Sequence, residues 1–230
     1  MQASIQPIFT WSQEHIFAGG TRNIVLLVEW RGIVKEDQLR KRSHKIAARD
    51  IELRIWLEPH LNLTACHGCR AEAGEGRSLL LNLGNILCGQ HKYLALEFST
   101  SPMPAGKHDA LWVQWLYKQP PGGRIRELPL QKLSLEYSRH TAVARDTVCF
   151  HVEKHLELLK IPNMLEEIAL LKDKGQYIEA AEHLRRHADN LLLLAARSGD
   201  LSLLREAEAL YKQSDRELQT QGENAGTEHR

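Results

Sequence analysis

The sequence lacks an excess of charge of either sign, because 30 lysines and arginines face 29 aspartates and glutamates. A formal net charge of +1 gives little long-range attraction to nucleic acid or to an anionic membrane. No run approaches the roughly 18 apolar residues that a membrane span requires. The N-terminal region also lacks the basic start, apolar middle and small-residue cleavage site of a signal peptide. We therefore expect a soluble, cytoplasmic protein that does not bind nucleic acid.

Cysteine is scarce as well. Four cysteines in 230 residues are far below the density of small secreted proteins that are held together by disulfides. Cys88 and Cys149 stand beside apolar residues, where a buried free cysteine packs as a small hydrophobic side chain. This usage favours reduced thiols in a cytoplasmic compartment.

Catalytic signatures are missing too. The sequence contains no G-x-S-x-G element and no glycine-rich phosphate loop ending in Lys-Ser/Thr. His151 and His155 have the i, i+4 spacing of a helical metal pair, but their order, "HVEKH", differs from the H-E-x-x-H of zinc proteases. His183 and His187 repeat the spacing without the motif. We therefore predict that the chain is not an enzyme and that it holds no cofactor.

The segment "ACHGC" at residues 65–69 is the candidate metal site. Cys66 and Cys69 form one Cys-x-x-Cys pair, whereas a structural zinc site needs four ligands. A thiol-redox role usually requires the pair to open a helix, which lowers the pKa of the first thiol, and here predicted strands flank it. The third interpretation is a plain turn. A complete zinc site would need isolated residues from elsewhere in the chain: Cys88, His91, Cys149 or His151.

Residues 1–146 have the pattern of a strand-rich domain. In "DIELRIWL", Ile51, Leu53, Ile55 and Leu57 alternate with more polar residues, which places one face on a core and the other largely in water. The segments predicted as strands are 23–30, 50–57, 78–84, 92–98, 110–118 and 130–138. Short turns separate them, and such a series is typical of an antiparallel β-sandwich.

Two local features stand out within this series, a hairpin turn and a short helix. The stretch "PPGG" at residues 120–123 predicts a hairpin, because Pro121 presets a turn dihedral and a following glycine can take positive φ. Residues 36–47 lack Gly and Pro and are rich in helix formers, so we expect a short helix there. Its basic cluster, residues 40–45, is interpreted as a solvated face.

After residue 146 the apolar spacing changes from two to three and four residues, which predicts helices. We expect an antiparallel helical bundle over residues 147–218 and a disordered tail over 219–230. Pro162 should break or kink the first helix, or start a second. Gly175 and Gly199 should end helices, and Asp200 should cap the next one. The predicted fold class is therefore α+β, an antiparallel β-sandwich-like domain followed by a helical bundle.

The phrase "LLLNLGNILCGQHKYLALEF", residues 79–98, resembles bacterial proteins built around a von Willebrand factor A (VWA) domain. Strand-rich segments beside that domain commonly carry Leu-Gly-x-Leu, then Gly-Glu and an alternating strand. The matching residues here are Leu83, Gly84, Asn85, Ile86 and Gly89, with Gln90 in place of glutamate.

The helical half carries a second part of this resemblance. In "KDKGQYIEAAEHL", residues 172–184, Gly175, Tyr177 and Ala180 match a G-x-Y-x-x-A element of the family's helical tail. The same stretch resembles the start of a tetratricopeptide repeat. One helical pair lacks the repeated period of such an array, however, which favours local helix packing.

The resemblance also implies a missing domain. The stretch "HIFAGGTRNIVLLVEWRG" is similar to the strand that precedes the VWA domain, yet the family's D-x-S-x-S metal site occurs nowhere in the sequence. The expected insertion point is Gly32, Ile33, Val34 and Lys35, where the domain is either excised or naturally absent. A divalent metal is expected only in that missing domain.

The function implied by the resemblance is a non-catalytic scaffold and protein-interaction module of a VWA protein. The module would support the VWA domain and bind partner proteins through the C-terminal helices. The alternative is a small zinc-binding or thiol-redox protein that uses Cys66 and Cys69. The partner and the oligomeric state stay open.

Overall fold

The computed structural model describes residues 4–33, 45–121, 123–140 and 148–227, with side chains as far as residue 219. The chain divides into two compact units, Met1–Leu156 and Glu157–Arg230. The sequence predicts this division between residues 146 and 147. In the structure it falls ten residues later, so the first turns of the first helix belong to the unit that contains the strands. None of the helices in the described part of the chain is long and apolar enough to cross a membrane.

The first unit contains two sheets. The four-stranded sheet has the order β1-β3-β8-β5, and the other has the order β2-β11-β9-β4-β7-β6, with β10 paired to β9. Among the described strands, every pair is antiparallel except β11 with β2. The predicted antiparallel β-sandwich-like, α+β fold is therefore confirmed. The strands are β1 Ile5–Trp11, β2 His15–Phe17, β3 Arg22–Gly32, β4 Ile46–Leu57, β5 Leu61–His67, β6 Ala71–Ala73, β7 Ser78–Leu87, β8 His91–Thr100, β9 Gly106–Gln119, β10 Arg124–Glu127 and β11 Gln131–Ser138.

Alternate residues of the central strands build the core. Along β4, Ile51, Leu53 and Ile55 are buried, which confirms the face predicted from "DIELRIWL". The ring of Trp30 on β3 lies 5.9 Å from that of Trp115 on β9, in a tilted arrangement. These rings join one sheet to the other through a large apolar contact.

Strand β4 begins earlier than the sequence predicts. It starts at Ile46, so residues 46 and 47 of the expected helix at 36–47 are strand. Ala47 is buried in the core and Ala48 is fully enclosed, which shows that packing overrides the helix propensity of alanine here. Lys45 precedes β4 as irregular chain, and the rest of that expected helix, residues 36–44, lies outside the described residues.

The predicted hairpin after β9 is confirmed. Strand β10 pairs antiparallel with β9, with Arg124 opposite Gln119. Gly123 has φ of +63°, the left-handed conformation that glycine adopts at little cost. Gly122 lies outside the described residues.

Three helices follow: α1 Phe150–Asp173, α2 Tyr177–Ser198 and α3 Leu201–Thr227. The predictions that Pro162 breaks the first helix or starts a second one are wrong, because α1 runs through it. The proline removes one backbone hydrogen bond at a cost of about 3 kcal/mol, and burial of Met164 and Ile168 in the next turns offsets that cost. Helix α3 extends beyond residue 219, where the tail is predicted to begin, since no proline stops its propagation.

Helices α2 and α3 pack through small residues. Ala180, Ala181 and Ala188 are buried on α2, and the buried Ser214 hydroxyl of α3 donates a 3.0 Å hydrogen bond to the carbonyl oxygen of Ala181. Small side chains let the two backbones approach closely, as this bond requires. The buried positions of α3 have alternating four- and three-residue spacing, which is a coiled-coil seam: Leu203, Ala207, Leu210, Ser214 and Glu217.

The predicted helix ends are confirmed. Gly175 has φ of +75° and Gly199 has φ of +70°, and the N–H of Gly199 donates to the carbonyl of Ala195 at the end of α2. The carboxylate oxygen Oδ1 of Asp200 accepts the Ser202 N–H at 2.8 Å. This bond satisfies one of the free donors at the start of α3.

Replacing Asp200 tests this cap. Asp200→Ala removes the acceptor and should lower the free energy of unfolding of the helical unit by about 1 kcal/mol. Asp200→Asn is the matched control, because its amide oxygen can still accept the Ser202 N–H. Urea unfolding followed by helical circular dichroism measures both, and an equal loss in the two variants would contradict the role of the cap.

Candidate functional site

The ends of β3 and β4 meet at one turn, although the two strands belong to different sheets. We call this turn, residues 87–90 between β7 and β8, the clamp turn. The N–H of Gly32 donates to the Gln90 carbonyl at 3.0 Å, and the Gly32 carbonyl accepts the Gly89 N–H at 2.8 Å. Gly32 and Cys88 also form a parallel bridge. The last residue of β3 is thus held on both of its backbone groups.

The start of β4 is held by the same turn. The N–H of Cys88 donates to the carbonyl of Lys45 at 2.9 Å, one residue before β4 begins. The N–H of Ile33 donates to the carbonyl of Ser4 at 2.9 Å. The chain therefore leaves the described structure after Ile33 and returns at Lys45, next to the same four residues. Val34 and Lys35, the other two predicted junction residues, lie outside the described residues.

The side chain of Gln90 stabilises the clamp turn. The Gln90 amide oxygen Oε1 accepts the Leu87 N–H at 3.0 Å, and the Gln90 N–H donates to the Leu87 carbonyl at 3.1 Å. Gly89 takes φ of +77°. Gln90 stands where the similar VWA-flanking segments have glutamate. The glutamine amide oxygen can accept a hydrogen bond as a carboxylate does, but the side chain carries no charge.

Gly32 has no room for a side chain. A Cβ atom at this position would lie 2.1 Å from the Leu87 carbonyl oxygen and 3.0 Å from the Ala47 Cβ. Both neighbours are fixed, since Leu87 is backbone in the clamp turn and Ala47 lies in the core. Close approach of two backbones explains why glycine stands at the junction.

A cluster of histidines on β8 and the first turns of α1 surrounds Glu29 of β3. Glu29 Oε1 is 3.0 Å from His91 Nδ1, and Glu29 Oε2 is 3.8 Å from His151 Nε2. The rings of Tyr93 and His155 stack with their centres 3.9 Å apart. These contacts attach the start of α1 to the four-stranded sheet.

The environment of this cluster favours a neutral His155. Burial first, then the nearby charges of His151 and Lys154, lower the pKa of His155 to about 4, while Glu29 pulls it upward. Burial and Glu29 raise the pKa of Tyr93. An uncharged imidazole therefore stacks on an uncharged phenol at neutral pH.

The predicted pair Cys66 and Cys69 does come together. The two Sγ atoms are 3.7 Å apart, and Cys66 Sγ is 3.3 Å from the Cys69 carbonyl oxygen. All four cysteines are free thiols. No group of three or more His, Cys, Asp or Glu side chains suited to a metal ion occurs among the residues that the structure describes. The zinc interpretation is therefore not favoured, because two ligands are too few.

The helical unit presents exposed apolar side chains. Leu193 is 64% exposed near the end of α2, and Leu201 is 66% exposed at the start of α3. Leu170 and Ile178 also leave half or more of their surface accessible. Partner binding through the C-terminal helices stays a prediction.

Sequence reasoning missed Ser4, Lys45 and the role of the clamp turn. In the sequence, the segment "LCGQ" is marked only by its glycine and by its similarity to the VWA-flanking motif. Its contacts with Gly32 and Lys45 join residues far apart in the chain, and no local pattern signals them. The spacing of His151 and His155 did point to one helix face, but their partners Glu29 and Tyr93 come from other elements.

Comparisons with known proteins place the fold near VWA-type proteins. No protein-family model matches the sequence, and no curated protein is significantly similar to it. The ArnB paralog VWA2 from Sulfolobus acidocaldarius is similar in structure with a TM-score of 0.57 and 9% identity, over 92% of this chain and 98% of that chain. A von Willebrand factor type A protein from Catenulispora acidiphila has a TM-score of 0.49 and 17% sequence identity, over 67% of this chain.

This chain spans only 37% of the Catenulispora protein. A cohesin module from Clostridium perfringens gives a TM-score of 0.40 with 10% identity, over 60% of this chain and 98% of the module. At identities this low the similarities concern the fold alone. Structural neighbours of the chain thus include VWA-type proteins.

Gly32→Ala tests the close approach at the junction. The added methyl group must displace the clamp turn, so we expect the free energy of unfolding of the first unit to fall by about 1–3 kcal/mol. Gly20→Ala is the matched control, because nothing lies within 4 Å of a Cβ there. Chemical denaturation followed by tryptophan fluorescence compares the two, and an equal effect would contradict the steric explanation.

His155 should make the first unit sensitive to acid. Its folded pKa of about 4 lies below the value of about 6.5 in an unfolded chain, so the unfolded state binds the proton more readily. The stability that the neutral ring contributes is complete above about pH 6.5 and is lost as the pH falls toward about 4. His155→Gln should flatten this part of the stability curve.

The control for this prediction is His140→Gln, which changes an exposed histidine. Urea midpoints of the two variants and the parent protein across this pH range provide the measurement. The assignment to His155 is wrong if the glutamine at 155 leaves the acid slope unchanged.

Proposed function

We propose that this chain is the non-catalytic scaffold and protein-interaction module of a VWA-type protein. A VWA domain would occupy the span between Ile33 and Lys45, and the helical unit would bind partner proteins. The fold similarity to the VWA2 structure, over 92% of this chain, is consistent with this assignment. The main support for this assignment is the clamp turn, which holds the two chain ends close together.

Insertion of a folded domain requires two chain ends that lie close together. Gly32 and Lys45 meet this requirement because both are hydrogen-bonded to the clamp turn. Folded domains commonly have neighbouring termini, so an inserted domain adds little strain at such a point. The bonds that hold the two ends are made by backbone groups of Gly32, Lys45 and the clamp turn.

Two adjacent connections would also restrict the inserted domain. A domain tethered at one end rotates freely, whereas one that enters and leaves through fixed backbone groups has few orientations. A metal-driven shift in such a domain would act on Gly32 and Lys45, and through them on the clamp turn. This is the mechanical basis on which a ligand state could be passed to the sandwich.

Partner binding is assigned to the helical unit because apolar side chains are accessible there. Leu170, Ile178, Leu193 and Leu201 are each half or more exposed, and apolar anchors of this kind are what protein partners bury. In this assignment the chain brings a VWA domain and a partner into one assembly and performs no reaction itself.

A domain graft tests the proposal. A VWA domain with an intact D-x-S-x-S site is inserted between Lys35 and Glu36, and amide hydrogen exchange is measured with and without Mg²⁺. We expect the sandwich to fold and the exchange at Gly32, Gly89 and Gln90 to change roughly fivefold or more on adding metal, the lower end of typical allosteric couplings.

The matched control carries the same VWA domain between Glu75 and Gly76, in the turn between β6 and β7. Here Mg²⁺ should leave exchange at the clamp turn unchanged. Failure of the sandwich to fold with the junction graft would refute the insertion site. Identical responses in the two grafts would refute the coupling.

A further inference from the structure

The turn between β5 and β6 brings two thiols together where the chain passes between sheets. Strand β5 is an edge of the four-stranded sheet and β6 is an edge of the other sheet. Cys66 is the penultimate residue of β5, and Cys69 lies two residues before β6. Gly68 between them has φ of +92°, a conformation that favours glycine and lets the turn close.

The two sulfur atoms are in van der Waals contact. They are 3.7 Å apart, and a disulfide requires about 2.05 Å. Each sulfur can move by rotation about its own χ1 angle, so closure needs no long displacement of a strand. Both side chains are half-buried at the rim of the core, so each residue keeps part of its surface exposed to solvent.

Hydrogen bonding makes the two thiols unequal. When Cys66 is ionised, the thiol of Cys69 can donate to its sulfur, and this bond lowers the pKa of Cys66. The same interaction, with burial, raises the pKa of Cys69. Thiolate is the attacking species in disulfide exchange, so the asymmetry suits Cys66 to attack and Cys69 to follow.

We infer that Cys66 and Cys69 are a redox-responsive pair that closes to a disulfide in exchange with low-molecular-weight disulfides. This site is separate from the junction and goes beyond the proposed scaffold function. The oxidised form would close the turn between β5 and β6 with a covalent bond from Cys66, on β5, to Cys69, just before β6. In the reduced form, which the structure describes, Cys66 Sγ contacts the sulfur and the carbonyl oxygen of Cys69 across this turn, without a covalent bond.

The exchange is balanced in two steps. The Cys66 thiolate attacks one sulfur of glutathione disulfide, whose S–S bond breaks, and one glutathione leaves as a thiolate that takes up a proton. Cys69 then loses its proton and attacks the Cys66 sulfur of the mixed disulfide, which releases the second glutathione. Two protein thiols are oxidised to one disulfide, and one glutathione disulfide is reduced to two thiols.

The test uses the full chain in glutathione redox buffers, with acid quenching, alkylation in denaturant and peptide mapping by mass spectrometry. As the buffer becomes more oxidising, the alkylatable thiols should fall from four to two in a single transition, with Cys66 linked to Cys69. Cys69→Ser should trap glutathione on Cys66. Cys88→Ser and Cys149→Ser are matched controls that should keep the transition.

A second measurement separates a folded site from two reactive cysteines. In the folded chain the pair should become oxidised at a higher ratio of reduced to oxidised glutathione than in urea, because the fold holds the sulfurs together. Full alkylation of Cys66 and Cys69 in the most oxidising buffer would overturn the inference. So would independent glutathione adducts on both residues, or an equal or lower ratio in the folded chain.

Discussion

The hydrogen bonds that the clamp turn exchanges with Gly32 and Lys45 hold together the ends of two strands from different sheets. Each strand is positioned by its own sheet, and the Trp30–Trp115 contact packs the sheets against each other. The turn fixes where the chain passes from one sheet to the other. Gly32 must be glycine for this to happen, since a Cβ atom there would lie 2.1 Å from the Leu87 carbonyl oxygen.

Features set by neighbours in the chain could be predicted from sequence. The alternation in β4 gave the buried face of Ile51, Leu53 and Ile55, because side chains of a strand point alternately to opposite sides. The ends of α2 and α3 followed from Gly199 and Asp200, whose backbone preference and capping oxygen act within one helical turn.

Features set by distant contacts could not be predicted. Residues 46 and 47 carry helix propensity, yet sheet pairing and burial make them strand. Pro162 is a helix breaker that α1 accommodates, because Met164 and Ile168 in the following turns are buried. The Cys-x-x-Cys spacing signalled the proximity of two thiols, but only the folded turn gives the distance between their sulfurs. The clamp turn depends on backbone bonds between separate elements, which side-chain patterns do not encode.

The strand order has a mechanical consequence at the junction. Strand β3 lies between β1 and β8, and β4 lies between β9 and β7, so each strand that leaves the junction has neighbours on both sides. Tension applied between Ile33 and Lys45 would pull both strands along their lengths. Many ladder hydrogen bonds would then bear the load together, whereas a hairpin pulled at its open end loses them one at a time. A segment inserted here would be anchored to two strands that resist force along their lengths.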